Sequence, residues 1–417
     1  MPRIGSFSSQ AFAKIVAASS LPGAELLFTL NNPNASNADY FGYSIAISGN
    51  YAIVGAYREN DAGGTTSGKA YIFNVTTGQL LHTLDNPNAY STSANDYFGI
   101  SVAISGNYAI VSAYAEDDAG GTNSGKAYIF NVTSGALLYT LDNPNAYGSS
   151  NSDQFGTTVA ISGNYAIIGV PNEDEGGNAS GTAYIFNVTT GALVHTLNNP
   201  NAYSTSANDY FGISVAILGN YAIVGAYFED DSGGTTSGKA YIFNVSTGAL
   251  VHTLDNPNAY STSTGDRFGR SVAIDDNYAI VGAFWEDDAG GTDSGKAYIF
   301  NVTTGALLHT LDNPTAFGTS ASDFFGFSVG ISGNYAIVGA YGEDDSGGTS
   351  SGKAYIYNVT TGALVHTLDN PNAYNTSAGD QFGNSVAISG NYAIVSAYLE
   401  DDAGGTSSGK AYIYKLT

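Results

Sequence analysis

Short runs of alternating apolar and polar residues recur along the whole chain and are separated by glycine, asparagine and aspartate. Alternation with a period of two is typical of half-buried β-strands, and the intervening residues favour turns. In a representative stretch the pattern predicts strands at Ser101–Ile104, Tyr108–Ala113, Lys126–Val132 and Ala136–Leu141. A Gly-Asn pair between the first two strands is typical of a two-residue hairpin. The stretch therefore predicts a four-stranded antiparallel meander.

This unit is copied seven times. The spacing between copies is 57 residues (41 to 98, for example), with a single step of 56 (155 to 211). A period of this length indicates a repeat architecture. Small residues fill the first strand and large ones the third and fourth, which suits blades that diverge outward from an axis. The sequence predicts an all-β fold, a seven-bladed β-propeller. Each copy begins at the Phe-Gly pair of Phe41, Phe98, Phe155, Phe211, Phe268, Phe325 or Phe382.

The two ends of the chain predict how the ring closes. The C-terminal segment Lys410–Thr417 leaves the seventh unit one strand short, and Ala24–Leu30 supplies an unpartnered strand before the first Phe-Gly. We expect the N-terminal strand to complete the last blade, because this pairing removes two exposed sheet edges. The predicted domains are a propeller at 24–417 and an N-terminal tail at 1–23 that is a candidate docking segment.

Each unit has two tight turns and two long connections, which in the second unit run over 116–125 and 142–153. Alternate connections of a meander lie at the same edge, so the long connections share one face of the ring. Function is expected on that face, because binding residues are concentrated in loops held by a rigid scaffold.

The Phe-Gly pair, the following hairpin and the strand Gly-Lys-Ala-Tyr-Ile-Phe resemble the FG-GAP repeat of the integrin alpha-chain propeller and its bacterial relatives, over residues 24–417. Gly55-Ala56-Tyr57 stands where that family has Gly-Ala-Pro, and Gly169-Val170-Pro171 keeps the proline. The resemblance implies a propeller, usually extracellular, that binds proteins or glycans. Such repeats often hold calcium in a long loop between the first two strands, but here that loop is Ser-Gly-Asn, too short to supply six or more oxygens. We expect no cofactor.

A calcium site elsewhere is the alternative that the acidic loops leave open. Oxygen ligands could come from Asp266, Glu286, Asp287 and Asp288. The interpretation that we favour is that the aspartate before Phe-Gly makes an Asx-type turn. The loop acids are then solvated and partly neutralised by the lysine that opens the third strand.

Composition excludes several function classes. The formal net charge is −24, so nucleic acid and anionic membranes are unfavourable partners. No apolar run has the length of a membrane span, and Ser8, Gln10 and Lys14 interrupt the opening segment. We therefore expect no membrane insertion and no conventional signal peptide, with a location outside the cell or on a cell or virion surface. The chain has no cysteine, which excludes disulfides and thiolate sites.

Catalytic groups do not stand out from the repeat. No Ser/His/Asp constellation or phosphate loop is recognisable, and the sequence predicts a non-enzyme. A hydrolase or lyase on this scaffold is disfavoured because no blade carries its own set of catalytic groups. The histidines all occupy one place in the outer strand, where we expect packing or surface roles: His82, His195, His252, His309 and His366.

Three positions of the unit vary in side-chain type: the residue before Phe-Gly, the residue after it, and the residue that opens the acidic loop. All three belong to the long-connection face, so the ring places them around the channel. Three of the four arginines and the only tryptophan occur at these positions, and both residue types are enriched in binding hot spots. The alternative is drift at exposed positions. The predicted ligand-binding residues are Tyr43, Arg58, Phe228, Arg267, Arg270, Trp285, Phe324 and Phe327.

These observations lead to two functional hypotheses. The first is a non-catalytic recognition or adhesion propeller on a cell or virion surface that binds a protein or glycan through the long-connection face. The second is a building block of a larger assembly, such as a virion decoration or fibre protein, docked through residues 1–23. A glycan array separates the two.

Overall fold

The computed structural model describes residues 23–60, 64–87, 94–117, 121–144, 152–174, 177–200, 207–230, 234–257, 264–287, 291–314, 321–344, 348–371, 378–402 and 405–417. Within these ranges the chain forms seven four-stranded antiparallel sheets, which confirms the predicted seven-bladed propeller. The described ranges contain no helix with the length and hydrophobicity of a membrane crossing. The tail before Gly23 lies outside the described residues.

The strands follow the predicted pattern, and their bounds in the second unit differ from the prediction by at most one residue at each end. In the first four units and the strand before them they are β1 (Ala24–Asn31), β2 (Ile45–Ser48), β3 (Tyr51–Ala56), β4 (Lys69–Asn74), β5 (Leu80–Asp85), β6 (Val102–Ser105), β7 (Tyr108–Ala113), β8 (Lys126–Asn131), β9 (Leu137–Asp142), β10 (Thr158–Ser162), β11 (Tyr165–Val170), β12 (Thr182–Asn187), β13 (Leu193–Asn198), β14 (Ser214–Leu218), β15 (Tyr221–Ala226), β16 (Lys239–Asn244) and β17 (Leu250–Asp255). In the last three units they are β18 (Ser271–Ile274), β19 (Tyr278–Ala283), β20 (Lys296–Asn301), β21 (Leu307–Asp312), β22 (Ser328–Ser332), β23 (Tyr335–Ala340), β24 (Lys353–Asn358), β25 (Leu364–Asp369), β26 (Val386–Ser389), β27 (Tyr392–Ala397) and β28 (Lys410–Leu416).

Blades one to six each take four consecutive strands, from β2–β5 through β22–β25, in sequence order. Blade seven has the order β1-β28-β27-β26. Strand β1 pairs with β28 from Ala24 opposite Leu416 to Asn31 opposite Lys410. The predicted closure of the ring by the N-terminal strand is therefore confirmed.

The hydrophobic core lies between neighbouring blades rather than inside each sheet. One such layer joins Ile53 and Ile72 of blade one to Phe98, Val111 and Tyr128 of blade two. The same layer is repeated around the ring, and the last one joins blade seven to blade one. Each blade therefore depends on both of its neighbours for burial, so the ring is stabilised as a unit.

The outer strands form the rim of the ring. Each outer pair contains a bulge, for example where Phe73 pairs with Leu80 and Ile72 with His82. The His82 ring packs against Gly135 of the next blade, with Nε2 3.1 Å from the Thr133 carbonyl oxygen. This confirms the packing role predicted for the repeated histidine and places it far from the channel.

Candidate functional site at the channel mouth

The Phe-Gly pair fixes the start of each blade. Phe98 is fully buried, with its ring centroid 5.8 Å from that of Tyr128 and 6.1 Å from that of Phe130. Gly99 has a φ of 91°, and a Cβ there would collide with the Lys69 carbonyl oxygen of the preceding blade. Only glycine combines that φ with so close a backbone approach. The residues on either side of Phe-Gly are thereby held against the central channel.

A buried glutamate follows the second strand of each blade, three residues after that strand ends. We call this region, together with the Phe-Gly segment, the blade entrance. Glu116 is fully buried, and the Tyr128 hydroxyl lies 2.7 and 2.6 Å from its two carboxylate oxygens. The prediction that the loop acids are solvated is wrong for this residue, because a tight turn, in which the Glu116 N–H donates to the Ala113 carbonyl, brings its side chain to the buried Tyr128 hydroxyl. The same bond recurs in every blade: Glu59–Tyr71, Glu116–Tyr128, Glu173–Tyr184, Glu229–Tyr241, Glu286–Tyr298, Glu343–Tyr355 and Glu400–Tyr412.

The lysine that opens the third strand reaches this glutamate. Lys410 Nζ lies 2.7 Å from Glu400 Oε1, and Lys239 Nζ lies 3.7 Å from Glu229 Oε1 and 3.2 Å from Asp255 Oδ1. The predicted neutralisation by lysine is therefore confirmed in these blades. In blade three the lysine position is occupied by Thr182.

The aspartate before Phe-Gly does not make the predicted Asx turn. In blade one the Phe41 N–H donates to the Ser408 carbonyl of blade seven, and the Asp39 carboxylate instead accepts bonds from Asn32 Nδ2 at 2.9 Å and Ser36 N at 2.6 Å. Six further blades pair the equivalent aspartate with the asparagine of the preceding Asn-Pro segment: Asn86–Asp96, Asn143–Asp153, Asn199–Asp209, Asn256–Asp266, Asn313–Asp323 and Asn370–Asp380. The Asn-Pro segment is thus tied to the blade entrance.

Burial perturbs these acids. Removal from water raises the pKa of Glu116 and Glu229 to about 8 and that of Glu59 and Glu286 to about 7, while the tyrosine hydroxyl bond opposes the rise. Burial also raises the pKa of Asp323 to about 7, with the Glu343 carboxylate adding to the effect. We interpret the repeated acids as structural groups, because each is buried and hydrogen-bonded to a tyrosine or an asparagine of the propeller.

The channel opens into a cavity of about 540 Å³ at the face that carries the long connections. All seven residues that follow Phe-Gly line it, which confirms their predicted convergence: Tyr43, Ile100, Thr157, Ile213, Arg270, Phe327 and Asn384. A ring of hydroxyl residues contributes the next layer of the wall: Ser44, Ser101, Thr158, Ser214, Ser271, Ser328 and Ser385. We call this cavity wall, with the residues that precede each Phe-Gly or follow each Gly-Ala position, the mouth.

Aromatic rings form two arcs in the mouth. The tyrosine arc spans blades seven, one and two and comprises Tyr40, Tyr43, Tyr57, Tyr97, Tyr114 and Tyr398. The mixed arc spans blades four to six and comprises Tyr210, Tyr227, Phe228, Phe284, Trp285, Phe324, Phe327 and Tyr341. Blade three separates them with a polar pair, Asn172 Nδ2 donating to Gln154 Oε1 at 2.7 Å.

The guanidinium groups of three arginines lie over these aromatic rings. Arg58 lies over Tyr40 at 4.8 Å and over Tyr57 at 5.6 Å, measured from Cζ to the ring centroid. Arg270 lies over Phe327 at 4.9 Å. Arg267 is held between Trp285 at 3.3 Å and Phe228 at 4.7 Å. Cation–π contact therefore fixes all three guanidinium groups.

The eight predicted ligand-binding residues fall into two layers. Four of them line the cavity, namely Tyr43, Arg58, Arg270 and Phe327. The other four pack behind this wall within the mixed arc, namely Phe228, Arg267, Trp285 and Phe324. Trp285 and Arg270 are half-buried, because Arg267 covers one face of the indole and Phe327 supports the Arg270 guanidinium.

The sequence prediction missed the residue after the Gly-Ala or Ser-Ala pair, which is tyrosine or phenylalanine in six blades and Pro171 in blade three. Tyr57 and Tyr114 line the cavity, and Phe284 joins Trp285 to Phe324 and Phe327. Because this residue is repeated from blade to blade, the sequence alone gives it the pattern of a packing residue rather than of a binding residue. Its place at the end of the second strand, next to a variable position, is the signal that could have revealed it.

Three of the four candidate calcium ligands are described, and each is engaged by another group. Asp266 bonds Asn256, Glu286 bonds Tyr298, and Asp287 accepts the Asp293 N–H at 2.9 Å. Asp288 lies outside the described residues. Among the residues that are described, no group of three or more acidic or histidine side chains is arranged to hold a metal ion. That calcium is unnecessary for the fold stays a prediction.

Comparison with known proteins identifies the repeat. The sequence profile described as the FG-GAP repeat matches seven segments, which together cover well over half of the chain: 29–73, 89–130, 146–186, 202–243, 259–300, 315–357 and 372–414. No curated protein matches the chain. A propeller of such repeats is suited to binding or structural roles and is typically non-catalytic.

Proposed function

The chain belongs to the FG-GAP repeat family, and from that premise we propose that it is a non-catalytic recognition propeller that binds a protein or glycan ligand in the mouth. A cavity of about 540 Å³ is in the range of ligand sites. Its wall combines aromatic faces, amides, hydroxyls and guanidinium groups, which are the groups that orient a bound ligand.

One observation carries the proposal: the residue before Phe-Gly has a left-handed backbone in all seven blades and is never small. The φ values lie between 55° and 60° for Tyr40, Tyr97, Gln154, Tyr210, Arg267, Phe324 and Gln381. This conformation costs a residue with a Cβ about 1–2 kcal/mol and favours glycine or asparagine. Other left-handed positions of the unit do carry small or short polar residues, such as Ala38, Asn95 and Ser152.

Large side chains at strained positions around a cavity support a binding role, because strain is retained where function requires the side chain. Glycine would adopt this backbone without the strain. The large side chains at these positions therefore support a role for them other than shaping the local backbone.

The test is a binding screen with the full chain on immobilised glycans and a displayed peptide library. We expect Tyr43→Ala/Phe327→Ala to lower the affinity of the wild-type binders by about tenfold or more. The matched rim variant Leu137→Ala/Leu138→Ala, which alters two exposed side chains, should leave affinity unchanged. Binders that are retained by the mouth variant, or a screen without any binder, would overturn the proposal.

A further inference from the structure

Most of the lysines and arginines that the structure describes lie in one of two environments, and the exposed Lys415 on β28 is in neither. Lysines at the blade entrances are engaged by carboxylates, as at Lys296 with Glu286 and Lys353 with Glu343. Three of the four arginines, Arg58, Arg267 and Arg270, lie at the mouth instead. Within the described ranges, none of Arg58, Arg267 and Arg270 forms an ion pair with a carboxylate. In a chain with 36 acidic residues, that segregation points to an anion as the missing partner.

The two cavity arginines are oriented for such a partner. Arg58 rests on Tyr40 and Tyr57, and Arg270 rests on Phe327. A guanidinium stacked on a ring keeps its N–H donors in its own plane, where they match the oxygens of a carboxylate or sulfate. The two residues belong to blades one and five, so they approach the cavity from well-separated parts of the wall.

Arg267 differs from these two. It is enclosed by Trp285, Phe228 and Tyr227, does not line the cavity, and has its pKa lowered by burial. It is a positioning residue that holds the Trp285 indole in the mixed arc.

The neutral part of the wall suits sugar rings. Tyr43, Tyr97 and Tyr114 line the cavity and are only half-buried, so the C–H face of a pyranose can pack against them. Gln154 and Asn384 supply amides that match ring hydroxyls. Peptide recognition relies more on apolar anchor pockets or on added strands. The wall also offers apolar contacts from one valine in each of six blades, so a peptide probe is needed to distinguish the two ligand classes: Val102, Val159, Val215, Val272, Val329 and Val386.

From these contacts we propose that the mouth binds an anionic carbohydrate, a polysaccharide segment whose carboxylate or sulfate groups are held by Arg58 and Arg270 and whose rings pack on the aromatic arcs. This inference rests on the proposed function and narrows its ligand to one chemical class. No covalent step is involved.

The experiment is calorimetric titration of the full chain with four probes: a neutral glucan oligosaccharide, an oligogalacturonate, a sulfated oligosaccharide and a poly-glutamate peptide. At least one anionic oligosaccharide should bind about tenfold tighter than the neutral one, and the stronger of the two distinguishes a carboxylate from a sulfate ligand. Arg58→Gln and Arg270→Gln should each lower that affinity by about tenfold. Lys415→Gln removes the same charge from an exposed site on β28 and should change it less than about twofold.

The outcomes that contradict the two proposals differ. Equal affinity for neutral and anionic oligosaccharides would overturn the anionic ligand but not recognition at the mouth. The same conclusion would follow if only poly-glutamate bound tightly and the arginine variants abolished that binding. Anionic oligosaccharide binding that neither arginine variant weakens would overturn this inference. If the Tyr43→Ala/Phe327→Ala variant also leaves that binding intact, mouth recognition is wrong as well. Unchanged thermal unfolding of each variant shows that the fold is intact.

Discussion

The position of Glu116 is a glutamate in all seven blades, and each time its side chain bonds a tyrosine hydroxyl. The position of Gln154, at the mouth, is tyrosine in three blades, glutamine in two, arginine in one and phenylalanine in one. Both positions adjoin the same blade entrance and both have the same backbone in every copy. We use the term frame for the buried positions that are the same in every blade, namely the Phe-Gly pair, the glutamate and the tyrosine that bonds it. A seven-fold backbone therefore carries a seven-fold frame and an asymmetric mouth.

The difference follows from what each environment demands. A buried carboxylate without donors is strongly unfavourable, so the frame glutamate and its tyrosine are required together. The mouth side chains face a cavity, where many side chains satisfy the same backbone. Variation is tolerated there, and the arginine and aromatic residues at the mouth are the ones to which we assign the proposed binding role.

The largest expected effect comes from breaking the frame at its closure. Deleting residues 1–31 removes β1, which exposes the edge of β28 and removes Leu30, a side chain that is 2% exposed. Loss of one such core side chain costs about 2–5 kcal/mol, so we expect the free energy of unfolding to fall by about 5 kcal/mol or more. Guanidinium denaturation followed by tryptophan fluorescence measures it.

Deletion of residues 1–22 is the control for this closure. Pairing with β28 begins at Ala24, so this truncation should leave the denaturation midpoint nearly unchanged. Equal midpoints for the two truncations would show that β1 does not close the ring.

A smaller effect is expected from pH. The pKa of Glu116 and Glu229 is raised by burial to about 8, from a usual value near 4.5. Between these values the folded state binds more protons than the unfolded state, so the free energy of unfolding falls as pH rises. One pKa unit corresponds to about 1.4 kcal/mol, and we expect a loss of about 2 kcal/mol or more in total between pH 5 and pH 8, at constant ionic strength.

Two variants distinguish whether the pH dependence of stability comes from the frame glutamates or from the overall negative charge. Glu116→Gln/Glu229→Gln should flatten the decline of stability with pH, because the amides do not titrate. Glu25→Gln, at an exposed position on β1, should leave the slope as it is. A slope that is identical in all three proteins would assign the pH dependence to overall repulsion instead.

Local patterns were sufficient to predict the fold. Seven Phe-Gly pairs, the period-two strands and the spare strand at Ala24–Leu30 led to a closed seven-bladed ring, because those signals depend only on neighbouring residues and on the chemistry of sheet edges. The convergence of Tyr43, Arg270 and their equivalents on the cavity also followed, since the ring repeats one geometry. Each of these predictions is confirmed by the strand pairing and by the cavity lining.

Contacts between distant segments could not be predicted in this way. The burial of Glu116 depends on how its loop folds under the next Phe-Gly, and the Asn86–Asp96 bond joins residues on either side of a long connection. The stacking of Arg267 on both Trp285 of its own blade and Phe228 of the preceding blade requires side chains from two blades to meet. A single sequence shows that these residues repeat or vary, but the pattern does not say which side chain each one faces.

The smallest expected effect on stability comes from a substitution at the mouth, and it can be compared with a substitution in the frame only two residues away. Gln381 has a φ of 58° and Gly383 a φ of 90°. Gln381→Gly relieves about 1 kcal/mol of backbone strain but frees the unfolded chain by a similar amount, so stability should stay within about 1 kcal/mol of the wild type. Gly383→Ala places a Cβ against the Lys353 carbonyl oxygen at a left-handed φ and should cost about 2 kcal/mol or more. Guanidinium denaturation midpoints of the two variants and of the wild type measure these changes in stability. If Gln381→Gly proves as damaging as Gly383→Ala, the side chain before Phe-Gly belongs to the frame, and its size can no longer be attributed to ligand binding.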